Sequence, residues 1–151
     1  MRRKLFATVL MAVLAAVQCV SAAEAKIKVT LKNERSHPVA VAFCWRGFDY
    51  GDDRRAGWFT VQPGKSRVVT LDAVYGLTAQ DFGFYADGRH KGKKVVWSGK
   101  FKKVIIHPTK KFSGHPDDPI QGGIKVGFRK LKLRETSDDR VDGAATLTFT
   151  H

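Results

Sequence analysis

The chain has 151 residues, 27 of them basic and 14 acidic, for a formal charge of +13. That length accommodates one domain able to bury a core without metal or disulfide staples, and it is too short for two ordinary domains. Its single long apolar run, about 16 residues, is short for a bilayer span and no second one follows, which excludes an ordinary helical membrane protein.

Arg2, Arg3 and Lys4 precede that run, Leu5 to Val20, and Ser21-Ala22-Ala23 follows it. This order predicts a signal peptide over residues 1–22 and a single β domain over 23–151, periplasmic or secreted. Cleavage removes three basic residues and no acid, so the formal charge falls to +10. Cys19 leaves with the signal segment, and Gln18 stands before it where a lipidation site carries a small residue. Cys44 is then the one cysteine of the mature chain, which therefore forms no internal disulfide.

Beyond residue 25 almost every segment alternates apolar and polar residues with period two, as in strands with one face on a core. Lys26 to Asn33 places Ile27, Val29 and Leu31 on one face and lysines on the other. Pro38 to Trp45 is apolar on both faces, with Val39, Val41, Phe43 and Trp45 opposed to Ala40, Ala42 and Cys44, and so predicts a central strand. Gly57 to Val61 and Ser66 to Asp72 read as a hairpin across Gln62-Pro63-Gly64-Lys65, whose proline and glycine suit a type II turn. Asp81 to Asp87, Lys93 to Gly99 and Phe101 to Ile106 give three more strands. Ile124, Val126 and Phe128 share a parity that Leu131 and Leu133 break, and a bulge near Arg129 or Lys130 would return them to the core. The last strand carries Ala145, Leu147 and Phe149. Helical spacing is absent, so the pattern predicts an all-β fold, an antiparallel β-sandwich or small barrel of about 8–9 strands. Residues 108–123 form a long Gly- and Pro-containing loop.

Asn33, Ser36, Pro38-Val39-Ala40-Val41-Ala42, Gly57-Trp58-Phe59-Thr60-Val61-Gln62-Pro63-Gly64, Phe84-Tyr85-Ala86 and Trp97-Ser98-Gly99 occur in this order. The series resembles the small exported bacterial proteins grouped as domain of unknown function 1036, over residues 27 to 112, with G-W-F-x-V-x-P-G its most distinctive part. In that family a cysteine often follows the Pro-Gly, where Lys65 and Ser66 stand here. The resemblance implies a periplasmic β domain and brings no catalytic residues with it.

Charge distribution is the sharpest functional signal. Arg89, Lys91, Lys93, Lys94, Lys100, Lys102, Lys103, Lys110 and Lys111 lie in one segment without an acid, while the rest of the mature chain is nearly neutral. Alternation places Lys94, Lys100 and Lys102 on one face with Ser98, and a bulge would let Lys130, Lys132 and Arg134 extend the stripe. Such a stripe attracts phosphates or acidic polymers; the competing reading is a solvated face that protects sheet edges. Trp97, Phe101 and Phe112 interleave with these cations as in base-stacking modules. However, the parity of Trp97 and Phe101 with Val95 favours the core, and export makes nucleic acid a less favoured partner than an anionic envelope component.

Enzymatic signals are weaker. His107, His115, Asp117 and Asp118 fall within a dozen residues and could ligate a metal, without any zinc-site spacing to support it. Asp49, Asp52 and Asp53 miss the spacing of a calcium loop. Cys44 beside His37 would make a nucleophile pair, but an apolar strand favours an inert thiol. No cofactor motif appears. The sequence thus points to an exported, non-enzymatic β-sandwich binding an anionic envelope or extracellular partner; a structural or adaptor protein of the cell envelope and a small metal-dependent enzyme are the alternatives.

Overall fold

The computed structural model describes residues 26–46, 53–72, 81–134, 136 and 143–150. The expected signal peptide, Asp49 and Asp52 lie outside them. Ten strands run through the described residues: β1 (Lys26–Asn33), β2 (Val39–Arg46), β3 (Asp53–Val61), β4 (Ser66–Asp72), β5 (Phe82–His90), β6 (Lys93–Trp97), β7 (Lys102–Ile106), β8 (Phe112–Gly114), β9 (Ile124–Lys130) and β10 (Gly143–Phe149). They form a sheet of order β10-β1-β4 and a seven-stranded sheet of order β7-β9-β5-β2-β3-β8, with β6 on β5 beside β9. The fold is all-β, as the alternation requires. β1 and β10 pair in parallel and the other ladders are antiparallel.

The doubly apolar β2 is indeed central, and each of its faces feeds its own cluster. Val39, Val41, Phe43 and Trp45 join Ile27, Val29, Leu31, Val69, Leu71, Phe82, Phe84 and Phe149 between the two sheets. Ala42 and Cys44 join Trp58, Tyr85, Val104, Ile106 and Phe128 on the opposite face. All members of this second cluster come from the large sheet, so the sheet curls over itself until β3 and β7, three strands apart in order, face each other. Apolar burial of roughly 25 cal/mol per Å2 drives both closures.

Two sequence expectations are corrected. β3 and β4 are not a hairpin, since β4 pairs with β1 in the other sheet. The turn itself forms, with Lys65 N–H donating to Gln62 O at 3.1 Å and Gly64 at φ 66°. Asn33 then takes the chain across: Gly64 N–H donates to its carbonyl at 2.7 Å, and its own N–H donates to Lys65 O at 3.0 Å. The Pro-Gly turn is thus a corner between sheets. No side chain lies within 4 Å of a Cβ built on Gly64, so Gly64→Val should cost more than about 1 kcal/mol purely through backbone strain, a loss that urea denaturation measures.

The second correction concerns β9. No bulge restores Leu131 and Leu133 to the face of Phe128. Val126 and Phe128 pack in the second cluster, the strand ends at Lys130, and Leu131 and Leu133 pass to the first cluster. Leu131 N–H donates to Phe82 O at 2.8 Å, which fixes the crossing. The parity break therefore marks a change of core. A register shift falls instead in β3, where Val41 opposes Phe59 and Ala42 opposes Gly57. Trp58 is the extra residue, and the shift sends it into the second cluster while Phe59 stays with the first. Gly57 is required there, because a Cβ would come within 2.7 Å of the Phe112 ring.

Candidate anion-binding surface

The contiguous basic segment does not form one stripe. The turn Lys91-Gly92, with φ 48° and 77°, closes the β5–β6 hairpin and carries Arg89, Lys91 and Lys93 at its exposed tip. Lys94 stands opposite Arg89 and pairs with Asp87 at 3.3 Å. Burial opposes its charge, but Tyr85 and Asp87 outweigh that and hold the amine above the usual lysine value. Lys102 shares the inward parity of Val104 and Ile106 and its ammonium binds the Asp53 carboxylate. Two of the three cations expected on one face are therefore paired with acids, Lys94 at the exposed β5–β6 hairpin and Lys102 on the inner face of the curled sheet.

Outward-facing residues of β7 and β9 compose a different cluster. Lys103 opposes Gly127, which places Lys125 and Arg129 on its two diagonals, about 7–8 Å away in an antiparallel ladder. All three are exposed. Lys100 lies in the connection whose Gly99 and Phe101 N–H groups donate to Gly127 and Phe128. None of these four forms an ion pair with a described acid. Lys110 and Lys111 lead into β8, where Lys111 and Arg67 border a groove of about 360 Å3 over Phe59 and Phe112. Lys130 sits 5.9 Å from the Phe101 ring centroid, and Lys132 and Arg134 are exposed beyond the strand.

The aromatic residues near these cations belong to the cores. Trp97 meets Phe149 edge-on at 5.0 Å, Phe112 meets Trp58 edge-on at 5.7 Å, and Phe101 packs on the second cluster. Trp58 is buried and its indole N–H donates to His107 O at 2.8 Å.

Residues considered for chemistry do not converge. His107 Nδ1 accepts the N–H groups of Thr109 and Lys110, and His115 Nδ1 accepts that of Asp117, so both imidazoles organise their own loop. Asp118 carboxylate accepts the His115 N–H. Among the described residues, no group of three or more His, Cys, Asp or Glu is placed to hold a metal ion. His37 precedes β2 while Cys44 lies near its far end, roughly 20 Å along the strand, so the two form no nucleophile pair. Burial is the main force that pushes the Cys44 thiol up to about 12, aided by Asp53 and opposed by Lys102 and the Gly83 N–H. Iodoacetamide at pH 8 should therefore leave Cys44 unmodified in the native protein and alkylate it in guanidinium; native-state labelling seen by mass spectrometry would contradict this burial.

Three important residues escaped the sequence reading. Lys125 and Arg129 were visible as alternate members of I-K-V-G-F-R-K, but they lie outside the linear basic segment. Arg55 stands just before the strand read from Gly57, where no motif singles it out. It is instead 2% exposed and donates to Ile105 O at 2.8 Å, Pro116 O at 2.7 Å and Asp118 O at 2.8 Å. Burial lowers its pKa, partly offset by Asp118 and Asp117. The 108–123 loop is thereby held against β3, and its residues 112–114 add the edge strand β8.

Comparison with protein-family models, with curated proteins and with solved structures finds no match. The likeness to the exported family therefore rests on the sequence motifs alone.

Proposed function

We propose that the chain is an exported, non-enzymatic β-sandwich that holds an anionic envelope or extracellular polymer against its basic surface. The observation that carries this reading is the outer face of the β7/β9 ladder, where Lys103, Lys125 and Arg129 stand exposed on adjacent strands with no ion pair to a described acid. A rigid ladder keeps these like charges close, and a polyanion relieves their repulsion while releasing its own counterions. The hairpin tip with Arg89, Lys91 and Lys93 and the loop with Lys110 and Lys111 offer further contacts to a partner longer than one patch. Export is supported by the basic, apolar and small-residue order of residues 1–22.

Binding to dextran sulfate, followed by fluorescence anisotropy over a salt series, tests the reading. The triple variant Lys103→Gln, Lys125→Gln, Arg129→Gln should weaken binding and flatten the salt slope by about one for each charge removed. The variant Lys28→Gln, Lys32→Gln, Lys65→Gln removes equal charge from other exposed positions. Equal losses in both variants would reduce the effect to net charge, and binding unchanged in the first would leave the cations a solvated face.

A further inference from the structure

The edges of a sheet carry unpaired backbone groups and are normally protected by lysines, by short length or by a covering segment. Among the described strands, β6 and β7 bear two lysines each, β8 has three residues, and Arg134 bridges onto β10. β4 is different. It runs for seven residues as S-R-V-V-T-L-D, without lysine, proline or bulge, and its only described partner is β1. Val68 at its middle is 59% exposed, more than any other large hydrophobic side chain among the described residues. The hydrogen-bond pattern tells which groups are open. Asn33 N–H donates to Lys65 O, the next pair in register beyond Lys32 and Ser66, so alternation directs the backbone of Arg67, Val69 and Leu71 to β1. The N–H and C=O groups of Ser66, Val68, Thr70 and Asp72 therefore point away from β1, and no described backbone group bonds them.

This edge borders a seam between the two sheets. Two adjoining cavities, of about 520 and 360 Å3, separate β4 from β3 and β8 and share Ala56 and Ser113 in their walls. A strand added to β4 would lie along the seam, with Leu71 at one end and the Phe59 and Phe112 rings at the other. Charge along it is uneven. Arg67 and Lys111 border the aromatic end without an acid. At the far end Arg54 and Asp72 offset each other in charge, Asp53 already binds Lys102, and Arg55 is committed to carbonyl oxygens.

We propose that the β4 edge takes up an extended segment of a partner protein as an added antiparallel strand, with apolar side chains in the seam and acids at its C-terminal end. Antiparallel addition brings that end beside Arg67 and Lys111, because β4 begins at Ser66. A second copy of this chain is the poorer occupant, since it brings the same excess of cations. The edge lies in the other sheet from the β7/β9 ladder, so either reading can fail alone. Fluorescence anisotropy tests it with a labelled peptide of alternating valine and threonine that ends in two glutamates. Binding should be saturable and should persist in the Lys103, Lys125, Arg129 triple variant. Two comparators keep the same charge, one N-methylated on every valine and threonine and one with the glutamates moved to the N-terminus. Each should bind at least about tenfold more weakly, the worth of two hydrogen bonds. Val68→Pro removes an outward N–H without touching the β1 ladder, so it should abolish peptide binding in a folded protein that still binds dextran sulfate. If that variant unfolds, the methylated peptide decides. Absence of saturable binding, equal affinity for the methylated peptide, or binding untouched by Val68→Pro overturns the proposal. Equal affinity for the reversed peptide overturns the placement of the acids, and a dimer in sedimentation that Val68→Pro dissolves gives the edge to a second copy and overturns the peptide.

Discussion

Replacing Arg55 with methionine is expected to destabilise the domain by about 2–4 kcal/mol and to expose the 108–123 loop to proteases. Three carbonyls depend on its guanidinium, and they belong to β7 and to the loop, while Arg55 itself belongs to β3. The side chain thus ties together strands that the curled sheet brings face to face. Pro116 O also accepts the Ile105 N–H, so it keeps a partner, whereas Ile105 O and Asp118 O lose the guanidinium donor. Each orphaned carbonyl costs about 1–3 kcal/mol; methionine regains some of this by removing a desolvated charge, which is why the expected total is not larger. Lysine should fall between the two residues, because its single ammonium does not reproduce the planar fork that serves three acceptors. Equilibrium urea unfolding and limited proteolysis measure both effects. Loss of loop protection with unchanged stability would show that Arg55 fastens the loop alone, and unchanged behaviour in both would remove it from the architecture.

Asn33→Leu should cost about 2–4 kcal/mol by a related route. Asn33 is 1% exposed, and its side-chain amide donates to His37 O at 2.8 Å and Val61 O at 3.0 Å, both bonds buried. Its Oδ1 accepts the Arg35 N–H at 3.0 Å. The residue therefore links the end of β1, the turn before β2, the end of β3 and the corner to β4. Leucine matches its size but satisfies none of the three groups. A domain of this length loses roughly 3–6 °C of midpoint for each kcal/mol, so thermal unfolding should reveal a drop of about 6 °C or more. A smaller shift would mean that water replaces the amide at this corner.

The motif G-W-F-x-V-x-P-G takes on a physical meaning from these contacts. Gly57 admits Phe112, Trp58 occupies the register shift and reaches His107 O, Phe59 and Val61 return to the first cluster, and Pro63-Gly64 turns the chain into the other sheet. Every part of it is structural. Arg67, an exposed cation close to it, donates to Thr60 O at 2.9 Å and lies over the Phe59 ring.

Period-two alternation was enough to determine that this chain is a β protein, where most strands lie, and that β2 is central, because side-chain direction along a strand is local and strictly alternating. It also showed that Cys44 is an inert core thiol, since a strand apolar on both faces leaves no wet side. Partner choice between strands is not local. Whether Ser66 to Asp72 folds back on β3 or crosses to β1 depended on Asn33, more than thirty residues away, and the fate of Leu131 and Leu133 depended on a second core that no parity rule reveals. Charge suffered the same limitation. Nine cations in sequence read as one surface, yet hairpin pairing set Lys94 against Asp87, curling of the sheet turned Lys102 inward onto Asp53 and buried Arg55 next to an exposed Arg54, and the β7–β9 ladder brought Lys125 and Arg129 beside Lys103. Composition determined that the protein is basic; only the tertiary structure decided which positive charges are left without an acid, because that depends on which strands meet.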